Sequence, residues 1–197
     1  FWDADADPAP LRASWADQPQ QRTQVNLYFS IPFCLPTDPP HCGFCLFPTE
    51  DYRGKTATTH YLELMAREIG LQREMHQGSQ LESFYVGGGT PNLLHPSDYE
   101  RLMALADSLF PGQTEGIEKT LEGIPQLFSE DKIGAIKTAG FNRVSMGVQS
   151  VSPEALRAIN RGYQTFEAVE SAVRRIREAG IPGLNIDVMT GLPGETS

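Results

Sequence analysis

What this sequence lacks narrows its class first. No stretch approaches the ~20 consecutive apolar residues that cross a bilayer. The first residues carry no basic segment followed by an apolar one, the pattern of a secretory signal. Basic charge is scarce: 16 Lys and Arg stand against 25 Asp and Glu, for a formal net charge of −9. With no extended basic run, a nucleic-acid partner or an anionic membrane surface is disfavoured. Cysteine is scarce too, with three in 197 residues, at Cys34, Cys42 and Cys45. An odd, clustered set is not a secreted disulfide framework; it reads as a metal or redox site in a reducing, cytoplasmic compartment. What remains is ordinary for a globular protein: 40% hydrophobic and 21% charged residues. That is enough chain for one sizeable core without disulfide or metal staples. The chain starts at Phe1 rather than Met and stops at Ser197 in what reads as a loop after a strand. A piece of a longer protein is expected.

Residues 1–24 show no periodicity, are rich in Asp, Ala, Pro and Gln, and hold both tryptophans, Trp2 and Trp15. They read as an arm, either poorly structured or docked through its aromatics over a site further on. From Val25 the pattern alternates between strand and helix. Strands are expected at 25–31, 83–86, 118–121, 142–148 and 184–188. Helices are expected at 59–75, from Ser97 to Phe110, at 129–139, from Ser152-Pro153 onward and at 166–179. Ser97 with Glu100 reads as a capping box; Gly140 and Gly180 read as helix stops. Residues 136–141 and 176–181 resemble one another at an offset of 40 that carries Gly147 onto Asp187 and Val148 onto Val188. A repeated βα unit implies parallel strands joined by crossovers. The unusual residues cluster just after strands: Cys34, the glycines 87–89, Glu122, Gln149 and Asp187. That is the active edge of a (β/α) barrel. Five strands do not close an eight-fold barrel, so an α/β fold with a partial TIM-like barrel, cut after about five βα units, is expected.

The cysteine loop, with seven residues between Cys34 and Cys42 and two between Cys42 and Cys45, offers three soft donors. Three thiolates can hold three irons of a [4Fe–4S] cluster and leave the fourth open to a small molecule. A structural zinc would need a fourth ligand, with His41 or His60 as candidates. Three unligated thiols are the bland alternative. His76 and His95 share no ligand spacing with the other histidines, and Met65, Met75, Met103 and Met146 read as packing.

The residues around the loop carry a resemblance. Tyr28 to Cys34, reading YFSIPFC, followed by Cys42-Gly43-Phe44-Cys45, resembles the cluster loop of the radical S-adenosylmethionine (SAM) superfamily. Within it the sequence is similar to the oxygen-independent coproporphyrinogen III oxidase family. The likeness continues at Gly87-Gly88-Gly89-Thr90-Pro91, at 142–150, at 185–187 and at 191–194, so it spans 25–197. Two departures stand out: the family usually has three residues between its first two cysteines, and Ser30 replaces its usual His. Counting back three from Cys42 lands on Asp38, so Cys34, anchored by the preceding Ile31-Pro32-Phe33, is taken as the first ligand.

The resemblance implies a radical SAM core over 25–197, with Cys34, Cys42 and Cys45 on the cluster. Gly88 and Gly89 would let the backbone approach the cofactor's amino group. Glu122 would accept hydrogen bonds from the ribose hydroxyls. Gln149, Arg161 and Asp187 match cofactor-binding positions, the guanidinium suiting a carboxylate. Tyr28 and Phe44 would pack against cofactor or cluster. Some relatives hold two SAM molecules, and Phe44, Thr90, Gln149, Arg161 and Asp187 would bear on the second. The implied reaction is removal of hydrogen from a porphyrinogen propionate by a 5′-deoxyadenosyl radical, with loss of CO2 to leave a vinyl group. Flavodoxin or ferredoxin would supply the electron. Methyl transfer or a related alkylation, haem carriage without turnover, and a zinc-stabilised module are the rivals.

Overall fold

The computed structural model describes residues 23–38 and 41–195. Residues 1–22 of the expected arm, with Trp2 and Trp15, and Pro39 and Pro40 of the cysteine-loop insert therefore lie outside the described residues; Gln24, expected as the arm's last residue, opens β1. The elements are β1 (Gln24–Ile31), β2 (Phe33–Cys34), β3 (Glu50–Asp51), α1 (Lys55–Gln72), β4 (Gln80–Gly88), α2 (Pro96–Leu109) and β5 (Glu118–Gly123). After these come α3 (Glu130–Thr138), β6 (Arg143–Gln149), α4 (Pro153–Ala158), α5 (Phe166–Glu178) and β7 (Gly183–Val188). Five strands form one sheet in the order β1-β4-β5-β6-β7, every neighbouring pair parallel. Spatial order follows chain order, as stacked βα units require. The expected partial barrel wall is what the chain builds. Among the described residues, no helix is long and apolar enough to cross a membrane.

The register sorts the side chains. Residues paired across parallel strands point to the same face, and the face alternates along each strand. Phe29, Ile31, Phe84, Val86, Leu121, Val144 and Met146 share one face, all buried in a core completed by Leu62, Leu102, Ile136 and Ile176 of the helices. Tyr28, Ser30, Tyr85, Glu122, Ser145, Asn185 and Asp187 share the other. The helices cover the apolar side, and polar chemistry is collected on the opposite side.

The 40-residue repeat has a physical basis. Gly140 and Gly180 take positive φ (94° and 73°) after α3 and α5. The following residues close the same bonds, Phe141 N–H to Ile136 O and Ile181 N–H to Ile176 O. β6 and β7 then pair at that offset from Arg143↔Gly183 to Gly147↔Asp187. The expected equivalence of Val148 with Val188 fails: a bulge intervenes and Gln149 pairs with Val188.

Two helix starts differ from expectation. α1 begins at Lys55, a turn before 59, and a 3₁₀ turn (Arg73–His76) replaces its expected end. α2 is capped by His95 and Asp98, not by Ser97 and Glu100: the imidazole accepts from the Ser97 N–H and the Asp98 carboxylate from the His95 N–H. Pro96 decides this, because its fixed φ suits the first helical position. Ser152 caps α4 and Pro153 opens it, as expected.

Candidate functional site

β2 and the C-terminal ends of β4, β5 and β6 meet the cysteine loop around one cavity of about 130 Å³. β2 continues β1 past Pro32 and carries Cys34. It is sewn to the glycine loop by Gly89 N–H to Ile31 O (2.8 Å) and Thr90 N–H to Phe33 O (2.7 Å). The Thr90 hydroxyl lies 3.7 Å from Cys34 Sγ. On its other side, Tyr52 N–H donates to Cys34 O (2.8 Å), through the short β2–β3 pair. Burial pushes the Cys34 thiol up; hydrogen bonds from Thr90 and Thr49 oppose this, and Cys42 and Cys45 add to it, so the three sulfurs feel one another.

The insert between Cys34 and Cys42 is pinned from below. Asn160 Nδ2 donates to His41 O (2.7 Å) and to Thr37 Oγ1 (3.3 Å). Gly43 N–H donates to Ile159 O (3.0 Å), and Cys45 N–H closes a turn onto Cys42 O (3.0 Å). Phe44 packs on a small second core of Ala155, Leu156, Ile159 and Leu192. Among the described residues, three that are not glycine take positive φ, namely His41 (68°), Gln149 (67°) and Asn160 (58°). His41 and Gln149 line the cavity, and Asn160 precedes Arg161, which also lines it. Such strain is held only where the surroundings over-determine it, and it gathers at functional sites.

Arg161 is buried, and part of its guanidinium is already engaged. Its Nε donates to Cys42 Sγ (3.2 Å), its Nη1 to Gly147 O (2.6 Å), and the guanidinium sits 5.7 Å from the Phe44 ring centroid. Glu122 lies inside β5 rather than after it. Burial raises its pKa, and the Asp187 carboxylate adds to the rise; the Gly88 N–H, Arg161 and Tyr85 pull the other way. The glycine loop leaves room chiefly for the chain itself. A Cβ at Gly89 would stand 2.5 Å from Phe33 O, and one at Gly87 2.6 Å from Glu122 Oε2.

Cys34, Cys42, Cys45, Phe44, Gly88, Gly89, Thr90, Glu122, Gln149 and Arg161 thus face one cavity. Tyr28 and Asp187 do not line it. Tyr28 stacks on Tyr85 (5.7 Å, 13°) on the polar sheet face. Asp187 accepts from Asn185 Nδ2 (2.6 Å) and the Ser145 hydroxyl (3.3 Å). Three residues went unnoticed in the sequence. Tyr85 links Glu122 to Ser145. Burial pushes the Tyr163 phenol up to about 12, leaving it a hydrogen-bond donor within reach of Cys42. Asn92 joins the glycine loop to the end of β5. All three flank motifs the sequence displays, Asn92 directly after Pro91, but residue type alone gives none of them its role.

The donor set fits a cluster better than an ion. Among the described residues, no three His, Cys, Asp or Glu side chains converge closely enough to hold one metal ion. His60 is exposed on α1 beside Glu63, and His41 Nδ1 lies 3.1 Å from the Thr49 hydroxyl. A four-ligand zinc shell is not assembled here. Three thiols spread around one cavity suit a polynuclear iron–sulfur group, whose ligands stand on different irons.

Residues 38–197 match the radical SAM superfamily model, and the chain belongs to that superfamily. The family implies a [4Fe–4S] cluster and SAM. Within it, the chain is 33% identical over 185 residues to the oxygen-independent coproporphyrinogen III oxidase of Bradyrhizobium diazoefficiens, covering 93% of this chain and 40% of that protein. It is 32% identical over 193 residues to the anaerobilin synthase of Escherichia coli O157:H7, covering 94% and 41%. The solved coproporphyrinogen III oxidase of Escherichia coli superposes with a TM-score of 0.80 at 30% identity, over 97% of this chain and 42% of that one. The chain therefore spans about 40% of the length of the curated relatives it matches. A radical SAM methyltransferase from Kitasatospora setae, at 19% identity and a TM-score of 0.51, shares the fold.

Proposed function

We propose that the full protein is a cytoplasmic radical SAM enzyme that oxidatively decarboxylates a porphyrinogen propionate, as an oxygen-independent coproporphyrinogen III oxidase does. The observation that carries this is the convergence of three cysteines, the Gly88–Gly89–Thr90 loop, Glu122, Gln149 and Arg161 on one cavity. Cys34, Cys42 and Cys45 hold three irons of the cluster. The loop at Gly88 and Gly89 offers backbone to the cofactor's amino group, Glu122 receives its ribose hydroxyls, and Gln149 and Arg161 take its methionine carboxylate. Tyr28 and Asp187 stand on the polar sheet face beside Glu122, outside the cavity's lining, and Phe44 holds the loop against Arg161. When bound and reduced by a flavodoxin- or ferredoxin-like donor, SAM and the cluster supply the carbon radical that takes hydrogen from the substrate. The chain's own part is to bind, orient and screen that chemistry.

A second reading is favoured by Ser30. It stands on the polar face opposite Gly87, its hydroxyl 2.9 Å from where a Gly88 Cβ would be, and its carbonyl accepts from the Tyr61 hydroxyl (2.7 Å). With no imidazole there, the site has one proton-bearing group fewer, which suits methyl transfer or alkylation using two SAM molecules. The test is anaerobic incubation of the full-length, reconstituted protein with SAM, a reductant and coproporphyrinogen III. The vinyl product with 5′-deoxyadenosine supports decarboxylation. A methylated tetrapyrrole with S-adenosylhomocysteine supports the second reading and overturns the first. SAM cleavage with the tetrapyrrole unchanged overturns both substrate assignments.

A further inference from the structure

We infer that Asn92 is a positioning residue for the cofactor site, a side-chain clamp that sets Glu122 against the glycine loop. The inference rests on the SAM reading of that cavity. β4 and β5 pair from Ser83↔Glu118 only as far as Val86↔Leu121. Beyond that register no backbone pairing of the two strands holds the glycine loop to the segment that carries Glu122. The Asn92 side chain makes the connection. Its Nδ2 donates to Ile124 O (3.0 Å), and its Oδ1 accepts from Ile124 N–H (3.1 Å). One carboxamide thus satisfies both polar groups of a single residue, as a neighbouring strand would.

The clamp is dry and tightly seated. Asn92 is 0% exposed and Ile124 only 5%. A Cβ at Gly123 would stand 2.3 Å from Asn92 Cγ, so the carboxamide lies directly on the backbone next to Glu122. From the far side, Lys132 Nζ of α3 donates to the Asn92 carbonyl. Past the last position of β4 paired with β5, a Cβ at Gly87 would stand 2.6 Å from Glu122 Oε2, and the Gly88 N–H helps hold the carboxylate charged. The position requires a donor and an acceptor at once. Aspartate keeps the acceptor but sets a negative oxygen against Ile124 O, and serine cannot serve both groups.

The test uses the full-length protein, reconstituted anaerobically, with SAM and its 2′-deoxyribose analogue as probes. For Asn92→Asp, iron and sulfide content should stay near wild type, while the melting midpoint falls, because a carboxylate set against Ile124 O in a dry site costs stability. The variant's affinity for SAM should fall about tenfold, the scale of one buried hydrogen bond lost. Its preference for SAM over the 2′-deoxy analogue should shrink toward that of Glu122→Gln. In the Glu122→Gln background, Asn92→Asp should add little, because both act on the same contact. Asn92→Ser gives a second, uncharged variant with the same expectation should the aspartate fail to fold. An unchanged ribose preference in a variant that still binds SAM overturns the role of Asn92 and leaves the functional reading intact. A wild-type protein that binds its cluster but no SAM overturns the functional reading itself.

Discussion

Replacing Gly89 by Ala tests the seam between the cysteine strand and the glycine loop. The new methyl would stand 2.5 Å from Phe33 O, 2.9 Å from Phe33 C and 3.0 Å from Ile31 O. All three are backbone atoms, so no side chain can rotate away, and β2 and the loop must part. Overpacking of this kind costs about 1–3 kcal/mol. Parting strains the Gly89–Ile31 and Thr90–Phe33 hydrogen bonds, worth about 0.5–1.5 kcal/mol each. The expected loss is therefore about 2–6 kcal/mol, or a midpoint lowered by about 4–24 °C. SAM affinity should fall with it, because Thr90 is drawn away from Cys34. Gly134→Ala is the matched control: it lies exposed in α3 with nothing within 4 Å of its Cβ position. There alanine should stabilise by about 0.5–1 kcal/mol through helix propensity. Thermal melts and SAM titrations of both variants decide the matter. A Gly89→Ala protein as stable as wild type, with unchanged affinity, would refute the close approach of the two strands.

Glu122→Gln should separate stability from binding. Burial, then Asp187, raises the carboxyl's pKa in the folded chain, so the folded state holds its proton more tightly than the unfolded state. Folding stability then declines as pH rises from the ordinary carboxylate value through the raised one. The variant should be the more stable protein at neutral pH, lose that advantage on acidification below the carboxylate range, and bind SAM more weakly throughout. Melts that run parallel at every pH would contradict this. Asn160→Ala removes the donor to His41 O and places a Cβ-bearing residue without a local hydrogen bond at φ 58°. It should release iron to a chelator several-fold faster, while Asn160→Gly, free of the backbone penalty, should fall in between; equal rates in all three would remove the anchor. Arg161→Lys keeps the charge but not the fork that reaches both Cys42 Sγ and Gly147 O. It should weaken SAM binding far more than it lowers the melting midpoint, and the reverse would make Arg161 a structural residue.

Much of the fold was legible because its signals are local. The stops at Gly140 and Gly180, the cap at Ser152 and the alternating strands each follow from short-range chemistry. The α2 start was misread because S-x-x-E matches a capping box while Pro96 had already fixed the first helical position. The site was legible where residue type carries the chemistry: cysteines, consecutive glycines, and a Gln and an Arg after one strand. What stayed hidden depends on neighbours far along the chain. Asn92 matters only because β4 and β5 lie side by side, and the role of Asn160 exists only because α4 ends beneath the cysteine loop. The break in the repeat at Val148 follows from the positive φ of Gln149, a conformation that no residue pattern announces.

Assay of iron and acid-labile sulfide in the full-length protein, handled without oxygen, bears most directly on the cavity's purpose. About four of each per chain are expected in the wild type. Both should fall away in Cys34→Ala, Cys42→Ala and Cys45→Ala alike, together with the absorbance near ~400 nm typical of thiolate-bound iron–sulfur groups. Stoichiometric zinc without sulfide, or a Cys34→Ala protein that keeps its full cluster, would contradict the assignment of these three cysteines.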